Sequence, residues 1–265
     1  MSPIPVRRSI STAERKTVSQ LKQSKYRRES GLFLAEGMKC GMELLTAFRC
    51  KSLIATEEWL SGHPVPPECE LVLQAKNSDM ERMSAFSTAP QVMFLYEIPP
   101  VSSVKVPSAC ELSLALDCIQ DPGNLGTIIR VADWMGVRHI YASQNTVDVY
   151  NPKVVQATMG SLARVAVHYM ELPPLLKEAR QNGIPVYGTF LSGDNIYDAE
   201  LSQGGIVVMG NEGNGVSEEV GACVSHRLLI PPYPADADTA ESLNVAVATA
   251  ITLSQFRERI FKGIK

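Results

Sequence analysis

The feature that most constrains the fold is an alternation of apolar runs and helical patterns over residues 109–265. The runs ELSLALDCI (111–119) and IVVM (206–209) are almost continuously apolar and do not alternate with polar residues. Strands that are buried on both faces have this pattern, and helices between them provide the crossovers that parallel strands require. The last apolar stretch has helical spacing. The sequence therefore predicts an α/β domain with a parallel sheet in this part of the chain.

A second, smaller α/β domain is predicted for residues 1–98. Its first element is a helix at 12–26, with Thr12 as the N-cap. The segment that follows this domain, PPVSSVKVPSAC, is rich in Pro and Ser. Because this composition is typical of linkers, we place a linker at residues 99–108, before the domain at 109–265.

Charge is distributed unevenly along the chain. The whole sequence carries a net charge of −3, whereas residues 1–40 contain nine Lys and Arg against three acidic residues. A localised basic surface on an otherwise acidic body is typical of a nucleic-acid-binding face. A solvated basic helix face gives the same count, so charge alone leaves both interpretations open.

Composition disfavours several classes of protein. No apolar stretch reaches the roughly 18 residues that a membrane helix needs. The N-terminal MSPIPVRRSISTAERK lacks the apolar core of a secretory signal. The six cysteines form no CxxC pair and the four histidines share no ligand spacing, so no metal site is predicted. We expect a cytoplasmic protein with reduced thiols and no membrane association.

The first loop of chemical interest is DPGNLGTIIR (121–130), which follows a predicted strand. Ligands of parallel α/β sheets bind beyond the carboxyl ends of the strands. The glycines precede a helix, where backbone N–H groups can meet an anion. A tight turn without a ligand explains them equally well. Arg130 stands among apolar residues, and its side chain could also extend to solvent.

The second loop is MGNEGNGVS (209–217). Its glycines permit positive φ angles and a close approach of a ligand to the backbone. Asn211 and Glu212 place polar side chains at the tip of the loop. By itself, a glycine-rich turn between a strand and a helix is only weak support for a ligand site.

The third segment leads from the predicted strand at 226–232 into the final helix. Ser242 and Asn244 lie where this apolar helix begins. A plain N-cap at Thr239 or Ser242 is one explanation. Asn244 fits it less well, because Asn is a poor residue inside a helix and a buried Asn needs hydrogen-bond partners.

Taken in order, these segments resemble the three signature motifs of the SpoU family of RNA 2′-O-ribose methyltransferases, which belong to the knotted SPOUT class. The three matching segments are DPGNLGTIIRVAD, IVVMGNEGNGVS and IPP…ESLNVAVATAI. The run NPKVV also matches the family. Residues 1–98, above all FLAEG and the basic run before it, resemble a substrate-binding domain that is related to a ribosomal-protein fold. One departure is the loop from Pro231 to Ser242, which is longer and more acidic than the family pattern.

The resemblance implies a fold and a reaction. The implied fold is an α/β SPOUT domain with a deep trefoil knot, which is rare under general fold rules, after a small ribosomal-protein-like α/β domain. The implied reaction is methyl transfer from S-adenosylmethionine to a ribose of structured RNA by a homodimer with a shared active site. The two-domain layout favours ribosomal RNA. Transfer RNA and a catalytically inactive RNA-binding protein are the alternatives. A Rossmann-type dinucleotide enzyme is disfavoured, because Asp121-Pro122-Gly123 is a poor match to its glycine-rich turn and VRHIYAS ends without an acidic residue.

The resemblance also implies site residues. The implied catalytic set is Asn124, Arg130, Glu212, Ser242 and Asn244. The predicted cofactor residues are Thr189, Phe190, Leu191, Met209, Gly210, Asn211, Gly213, Ile230 and Leu243. The predicted RNA-binding residues are Arg15, Lys22, Lys25, Arg27 and Arg28. Because a guanidinium stays protonated, we expect Arg130 to clamp the target phosphate and Glu212 to orient Arg130 or Asn124.

Overall fold

The computed structural model describes residues 5–100, 106–234 and 240–263. The chain folds into two compact units. Unit 1 comprises Met1–Ser102 and Asp148–Arg164, and unit 2 comprises Ser103–Val147 and Val165–Lys265. Each unit has its own sheet with helices on it. The predicted fold class, α/β with a parallel sheet in the C-terminal part, is confirmed.

The secondary structure follows the predicted alternation. The described strands are β1 (Val6–Ser9), β2 (Leu32–Glu36), β3 (Cys50–Ala55), β4 (Leu71–Gln74), β5 (Val92–Glu97), β6 (Leu112–Leu116), β7 (His139–Ala142), β8 (Ala166–Tyr169), β9 (Val186–Asn195), β10 (Gly205–Met209) and β11 (His226–Leu229). The described α-helices are α1 (Thr12–Gln20), α2 (Ser24–Ser30), α3 (Met38–Leu44), α4 (Glu57–Gly62), α5 (Asn77–Met83), α6 (Pro122–Trp134), α7 (Pro152–Thr158), α8 (Leu172–Gln181), α9 (Glu218–Gly221) and α10 (Val245–Phe261).

Unit 1 has a mixed sheet in the order β1-β4-β3-β5-β2. Its aromatic core contains Phe33 and Tyr96, with ring centroids 5.4 Å apart. The segment that holds α7 belongs to this core, because the ring of Tyr150 lies 4.8 Å from that of Phe33. The thiol of Cys40 also contacts the Val155 carbonyl oxygen at 3.4 Å. Residues distant in sequence therefore share one core in this unit.

The predicted helix at 12–26 is two helices, α1 and α2. The N-cap of α1 is Ser11 and not Thr12, because Ser11 and Glu14 form a reciprocal capping box. The Ser11 hydroxyl accepts from the Glu14 backbone N–H at 3.2 Å, and the Glu14 carboxylate accepts from the Ser11 N–H at 2.9 Å. The carbonyl of Leu21, between the helices, accepts from the Arg27 guanidinium at 2.7 Å. This contact uses a carbonyl that a continuous helix would need for its own ladder.

Unit 2 has a parallel sheet in the order β11-β9-β10-β6-β7-β8. All five residues of β6 and of β10 are buried, as their continuous apolar patterns predict. The helices α6 and α10 contact each other. Arg257 of α10 donates to the Met135 carbonyl oxygen at 2.6 Å, and burial lowers the pKa of this guanidinium. Because β9, β10 and β6 are parallel neighbours, the loops that follow them begin next to one another at the carboxyl edge of the sheet.

Two further properties concern only the described part of the chain. None of its helices is long and apolar enough to cross a membrane. Within the same residues, no three His, Cys, Asp or Glu side chains converge in a way that could hold a metal ion.

Candidate active site

Three of the predicted catalytic side chains meet at the carboxyl edge of the unit 2 sheet. The Nδ2 of Asn124 donates to Glu212 Oε1 at 2.9 Å. The Nδ2 of Asn244 donates to Asn124 Oδ1, also at 2.9 Å. Asn124 thus bridges the loop after β10 and the start of α10. We call Asn124, Glu212 and Asn244 the amide–carboxylate cluster.

Local sequence sets the position of Asn124. Asp121 is the N-cap of α6, and its Oδ1 accepts from the Asn124 backbone N–H at 2.8 Å. Pro122 occupies the first turn, where the missing N–H removes no helical hydrogen bond. Leu125 and Ile128 are buried and fix the rotation of α6 about its axis. The half-buried Asn124 side chain is therefore held at the first turn, facing the loop that carries Glu212.

Hydrogen bonds decide which way each amide of the cluster faces. Asn244 is the N-cap of α10, and its Oδ1 accepts from the N–H groups of Ala246 at 3.0 Å and Val247 at 3.3 Å. Its Nδ2 is therefore directed at Asn124. An ionised carboxylate can only accept, so Glu212 takes the Nδ2 of Asn124. Donation runs in one direction, from the helix terminus through two amides to the carboxylate, and such chains polarise one another.

The structure corrects the interpretation of Asn244 as a buried residue inside the helix. Asn244 is exposed and is itself the N-cap. Ser242, the predicted alternative for the cap, lies two residues earlier and is exposed. Thr239 lies outside the described residues. The physical reason is that the Asn side chain, like Ser or Asp, accepts from the first free N–H groups of a helix.

Arg130 does not join the cluster within one chain. It lies six residues after Asn124 on α6, so helical periodicity turns its side chain to a different face. That face is exposed and also carries Thr127 and Trp134. Among the described residues, none forms a hydrogen bond or an ion pair with the Arg130 guanidinium. Within this chain, the Glu212 carboxylate accepts from Asn124 Nδ2 at 2.9 Å and, more weakly, from Asn211 Nδ2 at 3.5 Å.

The predicted cofactor loops lie side by side on the sheet. Thr189 Oγ1 of β9 contacts Met209 Sδ of β10 at 3.7 Å. The side chains of Leu191 and Leu243 are 77% and 50% exposed, which is unusual for leucine. Exposed apolar groups at the carboxyl edge of a parallel sheet suit the apolar faces of an adenosyl group. These residues therefore fit the cofactor that the sequence resemblance implies.

Two of the predicted cofactor residues have other uses in the chain. The guanidinium of Arg227 covers the Phe190 ring, 3.4 Å from its centroid, so this ring is already packed. A Cβ atom on Gly210 would lie 2.3 Å from the Gly215 carbonyl carbon. The close approach that requires glycine at position 210 is thus made by the loop itself. At Gly213 such a Cβ would lie in ordinary van der Waals contact with Asn211 Oδ1, 3.6 Å away, so packing within the chain does not require glycine there.

Sequence reasoning missed Asp117, which lies just beyond β6. Its carboxylate is only 6% exposed and accepts from the Ser217 backbone N–H at 2.8 Å. It thereby holds the end of the glycine-rich loop. The available signal was an acidic residue at the end of the otherwise apolar run LSLALD, since buried carboxylates need partners.

Arg27 was predicted to bind RNA, and the structure shows that prediction to be wrong for a direct contact. Arg27 is 2% exposed. Its Nε donates to Asp148 Oδ2 at 2.9 Å, and its Nη1 donates to the Leu21 carbonyl oxygen. A buried guanidinium that is bound in this way cannot reach a phosphate.

The other predicted RNA-binding residues differ in how free they are. Lys25 and Arg28 on α2 are exposed, and so is Lys22 just before it. The Lys25 ammonium has two long contacts, 3.9 Å to the Glu29 carboxylate and 6.0 Å to the centroid of the Tyr26 ring. Arg15 is half-buried and pairs with the Asp79 carboxylate at 2.8 Å. The free positive charge of this region is therefore concentrated around α2.

Sequence comparison matches two family profiles to this chain. The SpoU rRNA Methylase family matches residues 111–254, which is more than half of the chain. The MRM3-like substrate binding domain matches residues 14–94. A curated relative from Bacillus subtilis (strain 168), 23S rRNA (guanosine(2553)-2′-O)-methyltransferase RlmP, is 29% identical over 255 residues. This alignment covers 94% of this chain and 99% of the relative.

Solved structures agree with this match. A protein from Porphyromonas gingivalis, assigned to the TrmH family of RNA methyltransferases, is 39% identical with a TM-score of 0.85, over 95% of this chain and 100% of that one. An AdoMet-bound rRNA methyltransferase from Sinorhizobium meliloti is 26% identical with a TM-score of 0.80, over 96% and 98% of the two chains. With the family motifs at the amide–carboxylate cluster, these matches show that the chain belongs to the SpoU rRNA methylase family.

Proposed function

We propose that this protein transfers the methyl group of S-adenosylmethionine to a ribose 2′-hydroxyl of ribosomal RNA in the cytoplasm. The observation that carries the proposal is the amide–carboxylate cluster, built from all three family motifs at one sheet edge. The relative from Bacillus subtilis, aligned over nearly the whole of both chains, is by its name a 23S rRNA 2′-O-methyltransferase. This likeness favours ribosomal RNA over transfer RNA as the substrate.

The chemistry requires little from the protein beyond positioning. When bound, S-adenosylmethionine supplies an electrophilic methyl group on a sulfonium sulfur. The chain must hold the 2′-hydroxyl in line and accommodate the loss of one proton. Asn124 has a second Nδ2–H and Glu212 has further acceptor positions, and both can contact a hydroxyl. We assign the orientation of the ribose to these two groups and the binding of the adjacent phosphate to Arg130, which stays charged.

The cofactor would lie along the ends of β9 and β10 and the start of α10. The side chains of Thr189, Leu191 and Leu243 would contact it directly. Met209, Gly210, Gly213 and Ile230 would contribute mainly through backbone, and so would Phe190, whose ring already packs against Arg227. We also propose that these segments form the deep trefoil knot that the family implies.

A homodimer is part of this proposal. The helices α6 and α10 expose large apolar side chains, with Trp134 88% and Phe261 86% accessible. Large apolar side chains exposed on two helices that contact each other are typical of an interaction surface. A second copy placed there would cover both side chains and would accept Arg130, which lies on the same exposed face of α6.

Sedimentation velocity tests the homodimer. We expect wild-type protein to sediment as a dimer and Trp134→Lys to sediment as a monomer, because a charge at the centre of an apolar interface is costly. Tyr197→Lys changes another exposed aromatic residue of unit 2 and serves as the matched control. A monomeric wild-type protein would contradict the proposal.

The RNA would be gripped in part by the basic surface around α2. Phosphate contacts make affinity fall with salt by roughly 0.7 to 0.9 in log–log slope for each contact. Replacing both Lys25 and Arg28 by Ala should therefore reduce the slope by about 1.5. The control pair is Arg49→Ala with Lys51→Ala, which removes two exposed charges of unit 1 elsewhere. An unchanged slope in the first variant would place the RNA path on another surface.

The activity itself is tested by mapping 2′-O-methylated nucleotides in ribosomal and transfer RNA from cells with and without the gene. We expect one site to disappear from ribosomal RNA and to return when purified protein and S-adenosylmethionine are added to unmodified RNA. A site lost from transfer RNA would identify the alternative substrate. If no site is lost and the protein still binds RNA, the inactive RNA-binding protein becomes the correct interpretation.

A further inference from the structure

We infer that Asn211 and Asp117 are positioning residues that hold Glu212 against Asn124. This inference rests on the proposed function. Glu212 lies in the turn formed by residues 211–215. Asp117 and Cys118, the two residues that directly follow β6, hold this turn at its two ends through hydrogen bonds. Neither tie belongs to the predicted catalytic set, and Asn211 was predicted to contact the cofactor instead.

The first tie is the Asn211 amide. Its Nδ2 donates to the Cys118 carbonyl oxygen at 2.7 Å. Cys118 has a φ of +61°, which a residue other than glycine adopts only where its surroundings hold it. The Cys118 N–H in turn donates to Ser143 Oγ at 2.8 Å. The carbonyl that receives Asn211 is therefore fixed in direction.

The same Asn211 side chain also closes the turn. Its Oδ1 accepts from the N–H groups of Gly213 at 2.9 Å and Asn214 at 3.0 Å. The backbones of Asn211 and Gly215 exchange two hydrogen bonds of 2.8 and 2.9 Å. Both polar atoms of the Asn211 side chain are thus used within the chain. The Nδ2 atom also contacts Glu212 Oε2 at 3.5 Å, so the Asn211 side chain is engaged by the turn and by Cys118.

The second tie is the Asp117 carboxylate. Its Oδ2 accepts from the N–H of Ser217, the N-cap of α9, at 2.8 Å. The Asp117 backbone N–H donates to the Met209 carbonyl oxygen at 2.9 Å, which joins the residue after β6 to the last residue of β10. A buried carboxylate bound to backbone N–H resists displacement, because freeing it would leave a charge unpaired.

Glu212 lies between these two ties. Its carboxylate reaches Asn124 at 2.9 Å only while the turn keeps its place against the end of β6. A displacement of about 1 Å at a reacting site can reduce the rate by about 100-fold. The ties therefore act on catalysis through Glu212 and not through contact with a substrate.

The experiment uses Asn211→Asp in the full-length protein. The new carboxylate keeps an acceptor for Gly213 and Asn214 but, when ionised, cannot donate to the Cys118 carbonyl or to Glu212 Oε2. We expect kcat to fall by about 10- to 100-fold and the dissociation constant of S-adenosylmethionine to stay within about threefold of wild type. Amide hydrogen exchange over residues 211–215 should become faster.

A pH profile separates positioning from general damage. Below its pKa the introduced Asp carries an O–H that can donate to the Cys118 carbonyl, as the amide did. The ratio of variant to wild-type kcat at the same pH should therefore rise as the pH falls. A flat ratio would overturn the inference, and so would a cofactor affinity that falls in parallel with kcat.

A second pair of variants covers the case in which Asn211→Asp folds poorly. Asp117→Asn keeps an acceptor for the Ser217 N–H and should retain more of kcat than Asp117→Ala, with melting temperatures recorded for both. Equal losses in the two variants would contradict the positioning role. A wild-type protein that methylates no RNA would instead refute the proposed function, and binding and exchange measurements would still report on the ties.

Discussion

The polar clusters of the two units differ in what they leave unsatisfied. In unit 1, the buried guanidinium of Arg27 is bound by Asp148 and by the Leu21 carbonyl. In unit 2, Asn124 and Glu212 are half-buried and keep hydrogen-bonding positions to spare. A buried and fully partnered charge holds a fold together, whereas an accessible and partly partnered cluster can take up a substrate. Each of the following variants tests this difference.

The largest effect is expected from Arg27→Ala. It removes a buried guanidinium that binds the half-buried Asp148 carboxylate, and breaking a fully buried pair, the upper limit here, lowers the free energy of unfolding by about 3–5 kcal/mol. Urea denaturation measures this loss. The neighbouring exposed residue gives the matched control, because Arg28→Ala should change stability by less than about 0.5 kcal/mol. Normal stability with weakened RNA binding in Arg27→Ala would contradict the structural role.

Arg130→Ala should act in the opposite way. Arg130 is exposed and has no partner among the described residues of its chain, so stability should stay near that of wild type. Loss of the charge that we propose to bind the target phosphate should lower kcat by about 100- to 1000-fold. Single-turnover assays and calorimetric titration of S-adenosylmethionine separate the two steps. If cofactor affinity falls together with activity, Arg130 belongs to the cofactor pocket.

Sequence patterns predicted the backbone of unit 2 well. The apolar runs at 111–119 and 206–209 became the central neighbours β6 and β10, and the three polar loops beyond the sheet contain the cluster. These features depend on local periodicity and on a general rule for parallel sheets. Of the predicted catalytic set, Asn124, Glu212 and Asn244 are in contact, whereas no contact joins Arg130 or Ser242 to them among the described residues.

Features that depend on long-range contacts were not predictable in this way. Arg27 and Arg28 are adjacent and look equivalent in sequence, yet only Arg27 meets Asp148, which lies 121 residues away. Asn211 was predicted to contact the cofactor because it lies in a glycine-rich loop. The hydrogen bond from its amide to the Cys118 carbonyl could not be predicted, because Cys118 is 93 residues away in the sequence. The type of a residue and its spacing in a motif show which hydrogen bonds its side chain can form. They do not show which residue, distant in sequence, the side chain meets in the fold.

Asn244→Asp tests the direction of the amide chain. Asp is as good an N-cap as Asn, so α10 should remain intact and the melting temperature should change little. The carboxylate cannot donate to Asn124, whose amide then loses its fixed orientation toward Glu212. We expect kcat to fall about tenfold, which corresponds to the loss of roughly one neutral hydrogen bond. Asn244→Ala, the control, should lower both kcat and the melting temperature, and equal melting losses in the two variants would argue for a purely structural cap.

The smallest effect is expected at Glu14 of unit 1. Both oxygens of its carboxylate already accept hydrogen bonds from Arg8, whereas the Glu212 carboxylate keeps acceptor positions free for a ligand. Arg8 donates to the Glu14 carboxylate at 2.6 and 2.9 Å, and Ser11 donates through its N–H and its hydroxyl. The hydrogen bond from Arg8, followed by those from Ser11, lowers the pKa of Glu14 from 4.5 to about 2. A depressed pKa means that the ionised group stabilises the fold above about pH 4.5, and that this contribution disappears as the pH falls toward 2.

Glu14→Gln should therefore reduce the free energy of unfolding at pH 7 by about 0.5–1 kcal/mol, because Arg8 is half exposed and solvent screens the pair. The difference from wild type should shrink between pH 4.5 and pH 3, and urea denaturation at several pH values measures it. Glu29→Gln, whose residue has only a long contact to Lys25, should show almost no difference at either pH. A difference for Glu14→Gln that does not change with pH would mean that its shape and not its charge caps α1. The charge of Glu14 would then contribute nothing to stability, and the comparison between this fully hydrogen-bonded carboxylate and the partly hydrogen-bonded Glu212 would fail.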